Sequence, residues 1–255
     1  RSNSSPSGWT QNNLKNYIFK KAFKKADKII VNSLEFKRQF KKRFNVKTEC
    51  IYNPLNKKEI LRKSKNKINL NFFKANKKLK ILNIGRFTDQ KDHHTLLKSM
   101  KILKKKNKLN FILLIIGRGQ NKSKIQNFIN KNNLNLNVKV IGFKKNPYKY
   151  TRCCDLFVLS SKFEGLPNVL LEAITLKKFV VSSNCPTGPN EILNNGKGGL
   201  LFKTGSSGDL AKKIIFYHNN KKKLKKKIDF AYKNLHRFDF NTNLKKYFEV
   251  IADLF

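Results

Sequence analysis

From residue 79 onward the chain alternates between two patterns. Short apolar runs fall at 79–84, 111–116, 138–141, 156–160, 179–182 and 199–202. None alternates strictly between apolar and polar, which predicts strands covered on both faces. Between them, helical patterns run over 94–105, 123–131, 168–176, 189–193 and 209–217. Strand and helix taken in turn predict an α/β fold built on a doubly wound parallel sheet.

Upstream the pattern changes. Residues 14–26 read as a basic amphipathic helix, 28–31 as a strand, and 33–44 as a helix capped by Ser33. Residues 51–54 read as a strand running into a linker. Residues 57–78 are polar and repetitive, and predict an exposed connection. Residues 221–227 form a basic run expected on a solvated helix face, and 241–254 read as a last amphipathic helix. No internal repeat is visible.

Glycine sharpens this picture. Gly8 alone precedes residue 85, and the other eleven lie between Gly85 and Gly208. They follow strand ends: Gly85, Gly117 and Gly142 directly, Gly165 and Gly188 in the turns after the next two strands. In open parallel sheets ligands bind at the carboxyl ends of the strands. Glycine there lets backbone approach a phosphate, although tight βα turns also need it.

Composition removes several classes. With 39% hydrophobic residues and 21 Phe among 255, this is not a disordered polar chain. The longest apolar run, 111–117, is too short to span a bilayer. The first residues lack the apolar core of a signal peptide. Cys50, Cys153, Cys154 and Cys185 are too few and scattered for a disulfide scaffold, and adjacent Cys153-Cys154 does not fit a paired-cysteine metal site. A reducing, cytoplasmic setting is the expectation. The first residue is Arg, so the chain is expected to be a fragment or a processed product.

Charge is the unusual quantity: 57 Lys+Arg against 15 Asp+Glu, or +42. A polyanion partner is one reading. The other is codon drift, because Lys (49) and Asn (33) both use AT-rich codons and rise together. Selection for nucleic acid would raise Arg as well, yet only eight are present. Drift is taken as the main cause; a basic face could still contact anionic lipid.

Two constellations carry candidate chemistry. The first is Gly85-Arg86-Phe87-Thr88-Asp89-Gln90-Lys91, between a strand and a helix. A forked guanidinium, a point-charge ammonium and a helix N-terminus together suit a diphosphate. The second runs from Phe163 to Glu172. Glu164 lies in the loop, Pro167 fits the first helical position, and Glu172 falls in the second turn, leaning toward the same mouth. Carboxylates accept hydrogen bonds from vicinal diols, so one could hold sugar hydroxyls and the other ribose hydroxyls.

These motifs make the chain resemble the retaining glycosyltransferases of family 4, which have the GT-B architecture of two Rossmann-like domains. Glu164-Gly165-Leu166-Pro167-Asn168 through Glu172 resembles that family's pair of glutamates eight apart. Gly85-Arg86 with Lys91 resembles its diphosphate turn, and Val140-Ile141-Gly142-Phe143 its nucleobase turn. The stretch 185–192 resembles the segment after its fifth strand. The likeness covers about residues 79–203.

The resemblance implies roles. Arg86 and Lys91 would hold the donor diphosphate and stabilise the leaving group. Glu172 would bind ribose. Glu164 would contact the transferred sugar, with backbone N–H groups near Gly165, Leu166 and Asn168. Gly142 and Phe143 would meet the base. Gly85 and Gly117 would line the donor pocket, with Arg118 and Gly119 at its rim. Glu191 is expected to cap or brace its own loop. His93 and His94 open a helix pointing differently and are expected not to be ligands, and no metal or other cofactor is called for.

The expected function is sugar transfer from a nucleotide diphosphate, taken as a UDP-sugar and specifically a UDP-N-acetylhexosamine. The acceptor would be a saccharide or a lipid-linked glycan, in surface polysaccharide or lipid-linked oligosaccharide synthesis. The helix over 14–25, with Tyr17, Ile18, Phe19 and Phe23, could touch anionic membrane from the cytoplasmic side. Residues 1–57 would be the end of the acceptor-binding domain and hinge, 58–238 the donor-binding domain, and 239–255 a helix crossing back. The family's N-terminal glycine-rich loop and catalytic-face His are absent, so donor binding with poor transfer is expected. The alternatives are a nucleotide-sugar 2-epimerase or phosphorylase of the same fold, or a basic nucleic-acid-binding protein; no nucleic-acid-binding motif supports the last.

Overall fold

The computed structural model describes residues 13–68, 70–74, 77–105 and 109–254. The readings that rest on Gly8 and the chain's first residues lie outside them, as do the side chains of residues 14–16. The elements run in this order: α1 Asn13–Lys24, β1 Ile30–Val31, α2 Leu34–Phe44, β2 Glu49–Cys50, α3 Lys57–Ser64, β3 Leu79–Ile84, α4 His93–Lys105, β4 Phe111–Ile116, α5 Lys122–Lys131, β5 Val138–Ile141, α6 Tyr148–Cys153, β6 Leu156–Leu159, α7 Asn168–Thr175, β7 Phe179–Ser183, α8 Pro189–Ile192, β8 Leu200–Phe202, α9 Ser207–Asn219, α10 Lys221–Lys233 and α11 Phe240–Ala252.

Strands β3 to β8 form one sheet, ordered β5-β4-β3-β6-β7-β8 and parallel throughout. The chain winds outward from β3 in one direction and then outward from β6 in the other. The winding therefore reverses between β3 and β6, the place where open α/β sheets form a ligand crevice. The ladder between these strands covers only Ile81–Leu156 and Leu82–Phe157. One residue on, the Asn83 side chain donates to the Val158 carbonyl at 2.9 Å, bridging the strands as their backbones part.

Burial on both faces follows from the apolar runs. In β4, Phe111, Leu113 and Ile115 enter one core, while Ile112, Leu114 and Ile116 enter the other. The first core also takes Leu96, Leu97, Met100 and Leu103 of α4; the second takes Leu170, Leu171 and Ile174 of α7. A smaller unit holds β1, β2, α1 and α2. Its core is phenylalanine-rich, with Phe40 and Phe44 buried and the Phe23 ring 5.1 Å from each. Ser33 caps α2 as expected, accepting from the Phe36 N–H at 3.1 Å.

Several expectations need correction. Residues 57–78 are not simply an exposed connection. Asn56 caps α3 by accepting from the Glu59 N–H at 3.0 Å, Ile60 is buried, and Phe73 is buried in a 3-10 turn at Asn71–Lys74. These few apolar anchors are hard to see among so many Lys and Asn. The second short strand is Glu49–Cys50, upstream of 51–54; after the Ile51 N–H bonds Val31 the chain leaves the ladder toward Pro54, which has no N–H to give. Helix α6 was not foreseen: its six residues give no full period, although Tyr150 and Thr151 are buried. Pro167 is the N-cap of α7, with extended ψ of 96°, and Asn168 is the first helical residue. The basic run does lie on a helix, with Leu224 turned inward.

Candidate active site

The crevice predicted by the strand order is present as an open cleft of about 600 Å³. The loops after β3 and β6 form one wall, contributing Arg86, Gln90, Lys91, Glu164, Gly165, Leu166 and Asn168. The smaller unit forms the other, through side chains such as Phe23, Val31 and Phe36. Six of the residues picked from sequence thus meet in one place.

Lys91 and Glu164 are its electrostatic centre. The Lys91 ammonium lies 2.5 Å from Glu164 Oε1, with side-chain exposures of 14% and 7%. The same oxygen accepts from the Ser161 hydroxyl at 2.5 Å. The Ser160 hydroxyl donates to the Lys91 carbonyl at 2.8 Å, tying the two loops together. An ammonium has three N–H donors, so one ion pair leaves Lys91 able to bind an anion as well. Arg86 is exposed and makes one long bond, 3.4 Å to Gln90. Gln90 in turn donates to the Phe163 carbonyl at 2.9 Å, so the arginine stands on a residue anchored to the opposite loop.

The helix termini differ from expectation. The start of α4 is already met by its own acid: Asp92, at φ 45°, accepts from the Thr95 N–H at 3.2 Å and the Thr95 hydroxyl at 2.7 Å. The start of α7 has no side-chain cap, and Asn168 and Val169 both line the cleft. The free helix N-terminus at this site is therefore that of α7.

Glu172 does not line the same cleft. It sits part-buried on α7, and no described residue hydrogen-bonds its carboxyl group. Burial pushes its pKa up to about 7. Tyr148 on α6 feels its charge, after the larger effect of its own burial. At the same end of the sheet, Gly142 is exposed and Phe143 stands 56% exposed. The Arg118 guanidinium lies 5.0 Å from the centre of the Phe143 ring. None of these groups lines the cleft.

Gly117 has a structural duty. A side chain there would overlap the Gly85 carbonyl and the Phe87 ring. Across this close approach, the Phe87 N–H bonds the Arg118 carbonyl at 2.8 Å and the Gly85 N–H bonds Ile116 at 3.0 Å. The turns after β3 and β4 therefore abut and hold Arg86 in place. His93 is 3% exposed, edge-on to Phe87, and burial lowers its pKa to about 4; His94 is exposed against Phe128.

Sequence reasoning missed Ser161, Gln90, Tyr247 and Asn53, which donates to the Asn168 side chain at 2.9 Å. Asn53 and Tyr247 come from segments far away in sequence, while Ser161 and Gln90 lie beside the two motifs but carry no pattern of their own. Glu191 does more than brace its own loop: it caps α2 from across the molecule.

The family model for glycosyl transferases group 1 matches residues 64–234. The chain belongs to this family. An uncharacterized glycosyltransferase of Methanocaldococcus jannaschii is 38% identical over 181 residues, covering 69% of this chain and 44% of that protein. The N-acetylgalactosamine-N,N'-diacetylbacillosaminyl-diphospho-undecaprenol 4-alpha-N-acetylgalactosaminyltransferase of Campylobacter jejuni is 30% identical over 197 residues, 76% of this chain and 51% of that protein. The chain thus spans about half the length of the curated relatives it matches. Among solved structures, Anabaena Alr3699/HepE in complex with UDP superposes with a TM-score of 0.82 at 20% identity, covering 99% of this chain and 70% of that one. These likenesses place the sheet and its helices in the GT-B fold.

Proposed function

We propose that this chain is the donor-binding part of a retaining glycosyltransferase of the family 4 type. It takes a sugar from a nucleotide diphosphate, a UDP-sugar with a UDP-N-acetylhexosamine as first choice. It delivers that sugar to a saccharide or lipid-linked acceptor in surface polysaccharide or lipid-linked glycan synthesis. The observation that carries this reading is the meeting of Arg86, Lys91, Glu164 and the uncapped start of α7 in one cleft at the sheet's reversal point.

In this reading Arg86, Lys91 and the α7 amides neutralise the diphosphate as it departs. Glu164, held by Lys91 and Ser161, faces the transferred sugar beside Gly165, Leu166 and Asn168. Glu172, whose carboxyl group has no hydrogen-bond partner among the described residues, receives the ribose hydroxyls. Gly142 and Phe143 meet the base, and Gly85 and Gly117 shape the turns. These fixed positive groups supply the charge that a metal would otherwise bring, so nucleotide binding is expected to survive chelation. Retention rests on the resemblance to the retaining family 4 enzymes. The acceptor class is supported by the names of relatives, which include the undecaprenol-linked enzyme above and a capsular polysaccharide glycosyltransferase of Staphylococcus aureus 31% identical over 185 residues.

Residues 1–57 are read as the end of an acceptor-binding domain, 58–238 as the donor domain and 239–255 as the returning helix. No described helix is long and apolar enough to cross a membrane. Tyr17 and Ile18, 57% and 54% exposed among the lysines of α1, support peripheral contact with anionic lipid on the cytoplasmic side.

Calorimetric titration with UDP, ADP and GDP tests the reading. Selective binding of UDP, weakened in Arg86→Ala and Glu172→Ala and unchanged by EDTA, is expected. Failure to bind any of the three would overturn it.

A further inference from the structure

Helix α2 and the segment made of α8 and the turn before it lie more than 150 residues apart in sequence, yet each satisfies the other's backbone. The first two amides of α2, on Leu34 and Glu35, donate to Glu191 Oε1 and Oε2 at 3.0 and 3.3 Å. The Tyr52 hydroxyl donates to Glu191 Oε1 at 2.6 Å. In return, Glu35 Oε2 accepts from the Thr187 N–H at 3.1 Å. Arg237 holds the base of this arrangement by donating to the Glu191 and Ile192 carbonyls at 3.2 and 3.4 Å.

The arrangement continues into the cleft. Thr187 is 4% exposed and adopts φ 61°, a left-handed conformation that costs a β-branched residue energy and needs its surroundings to hold it. Its N–H is held by Glu35, and its hydroxyl contacts the carbonyls of Glu164 and Pro186. The Glu164 N–H donates back to the Pro186 carbonyl at 3.3 Å. Gly188, at φ 81°, has no room for a side chain because the Gly165 carbonyl and Pro167 ring press against it. Hydrogen bonds and packed backbone thus run without a gap from α2 to the residue whose carboxylate pairs with Lys91.

We propose that Glu35 and Glu191 are positioning residues for the donor loop. They form a reciprocal clasp through which the seating of the small unit fixes the backbone of Glu164. The clasp stands on the contacts above; only its consequence for donor affinity rests on the proposed function. Neither residue lines the cleft. Because coupling is reciprocal, a ligand that orders the donor loop must also tighten the seat of α2.

The test measures hydrogen–deuterium exchange of residues 162–168 in the ligand-free chain, with UDP titration as a second arm. Glu35→Leu is expected to speed exchange there about tenfold and weaken UDP binding about fivefold, within the usual range of coupling between sites. Glu35→Gln, which keeps an acceptor oxygen, is expected to restore most of both. Ser206→Ala is the control: it removes the cap that accepts from the Asp209 N–H on α9, and should lower Tm while leaving exchange at 162–168 unchanged. If Glu35→Leu lowers Tm but leaves that exchange unchanged, the clasp only joins two units and the proposal is overturned. Should Glu35→Leu fail to fold, Tyr52→Phe decides instead. It deletes one hydroxyl from Glu191; about threefold faster exchange supports the clasp and unchanged exchange overturns it. If the unaltered chain binds no UDP, the donor reading fails, and the exchange arm still decides the clasp.

Discussion

At the scale of single residues, Arg86 and Lys91 should fail in different ways. Arg86 is exposed with one long partner, so Arg86→Ala should leave folding stability unchanged within about 0.5 kcal/mol, while UDP affinity falls at least about tenfold, as expected for a charged hydrogen bond. Lys91 is enclosed with Glu164. Lys91→Met leaves a buried carboxylate without its cation and should cost about 3 kcal/mol. The double variant Lys91→Met with Glu164→Gln should recover stability in thermal melts but not UDP binding. Glu172 should show itself through pH. Its pKa is raised to about 7, so its contribution to folding favours the protonated form: it is fully present below about 4.5 and lost as pH rises through 7. In the proposed ribose role Glu172 acts as an ionised acceptor, so on that proposal UDP affinity should instead rise as pH climbs through about 7, measured by titration between pH 6 and 8. In Glu172→Gln that component of the slope should vanish. Arg86 and Glu164 were legible because so few Arg and Glu occur in this chain, and Lys91 only through its place between a strand-end glycine and a helix start. Asn53 was not, because it reaches the site only when distant segments meet, and the supporting bonds of Ser161 and Gln90 were not, because polar residues beside a motif carry no sign of what they touch.

At the scale of elements, the parallel sheet was legible because strands buried on both faces are written as unbroken apolar runs. Segments with one or two anchors were not. Phe73 is the clearest example: a lysine- and asparagine-rich setting reads as solvent, yet the ring is 2% exposed in the core under β4. Phe73→Ala should therefore cost about 3 kcal/mol in denaturant unfolding; a change under about 0.5 kcal/mol would restore the reading of 57–78 as an exposed connection. The small unit was read well where capping chemistry is local, as at Ser33. The capping of α2 by Glu191 could not be read, since no sequence interval connects the two.

At the scale of the whole molecule, +42 on 255 residues is a field that the fold must tolerate. Only a handful of ion pairs offset it among the described residues, and most are exposed, such as Lys245–Glu249. Self-repulsion should thus weaken the compact state at low ionic strength. Raising salt from about 10 mM to about 150 mM shortens the screening length from about 30 Å to about 8 Å, and Tm should rise with it; a falling Tm would show that surface attraction outweighs repulsion. The close approach of Gly188 to Gly165 bears on how such a molecule can be re-engineered. Neither turn has slack to accept a bulkier neighbour, so the loop after β6 and the loop after β7 form one interchangeable cassette. A donor loop grafted from a relative would bring its geometry with it only if 185–188 travelled alongside, and helix α2 would then have to recognise the newcomer.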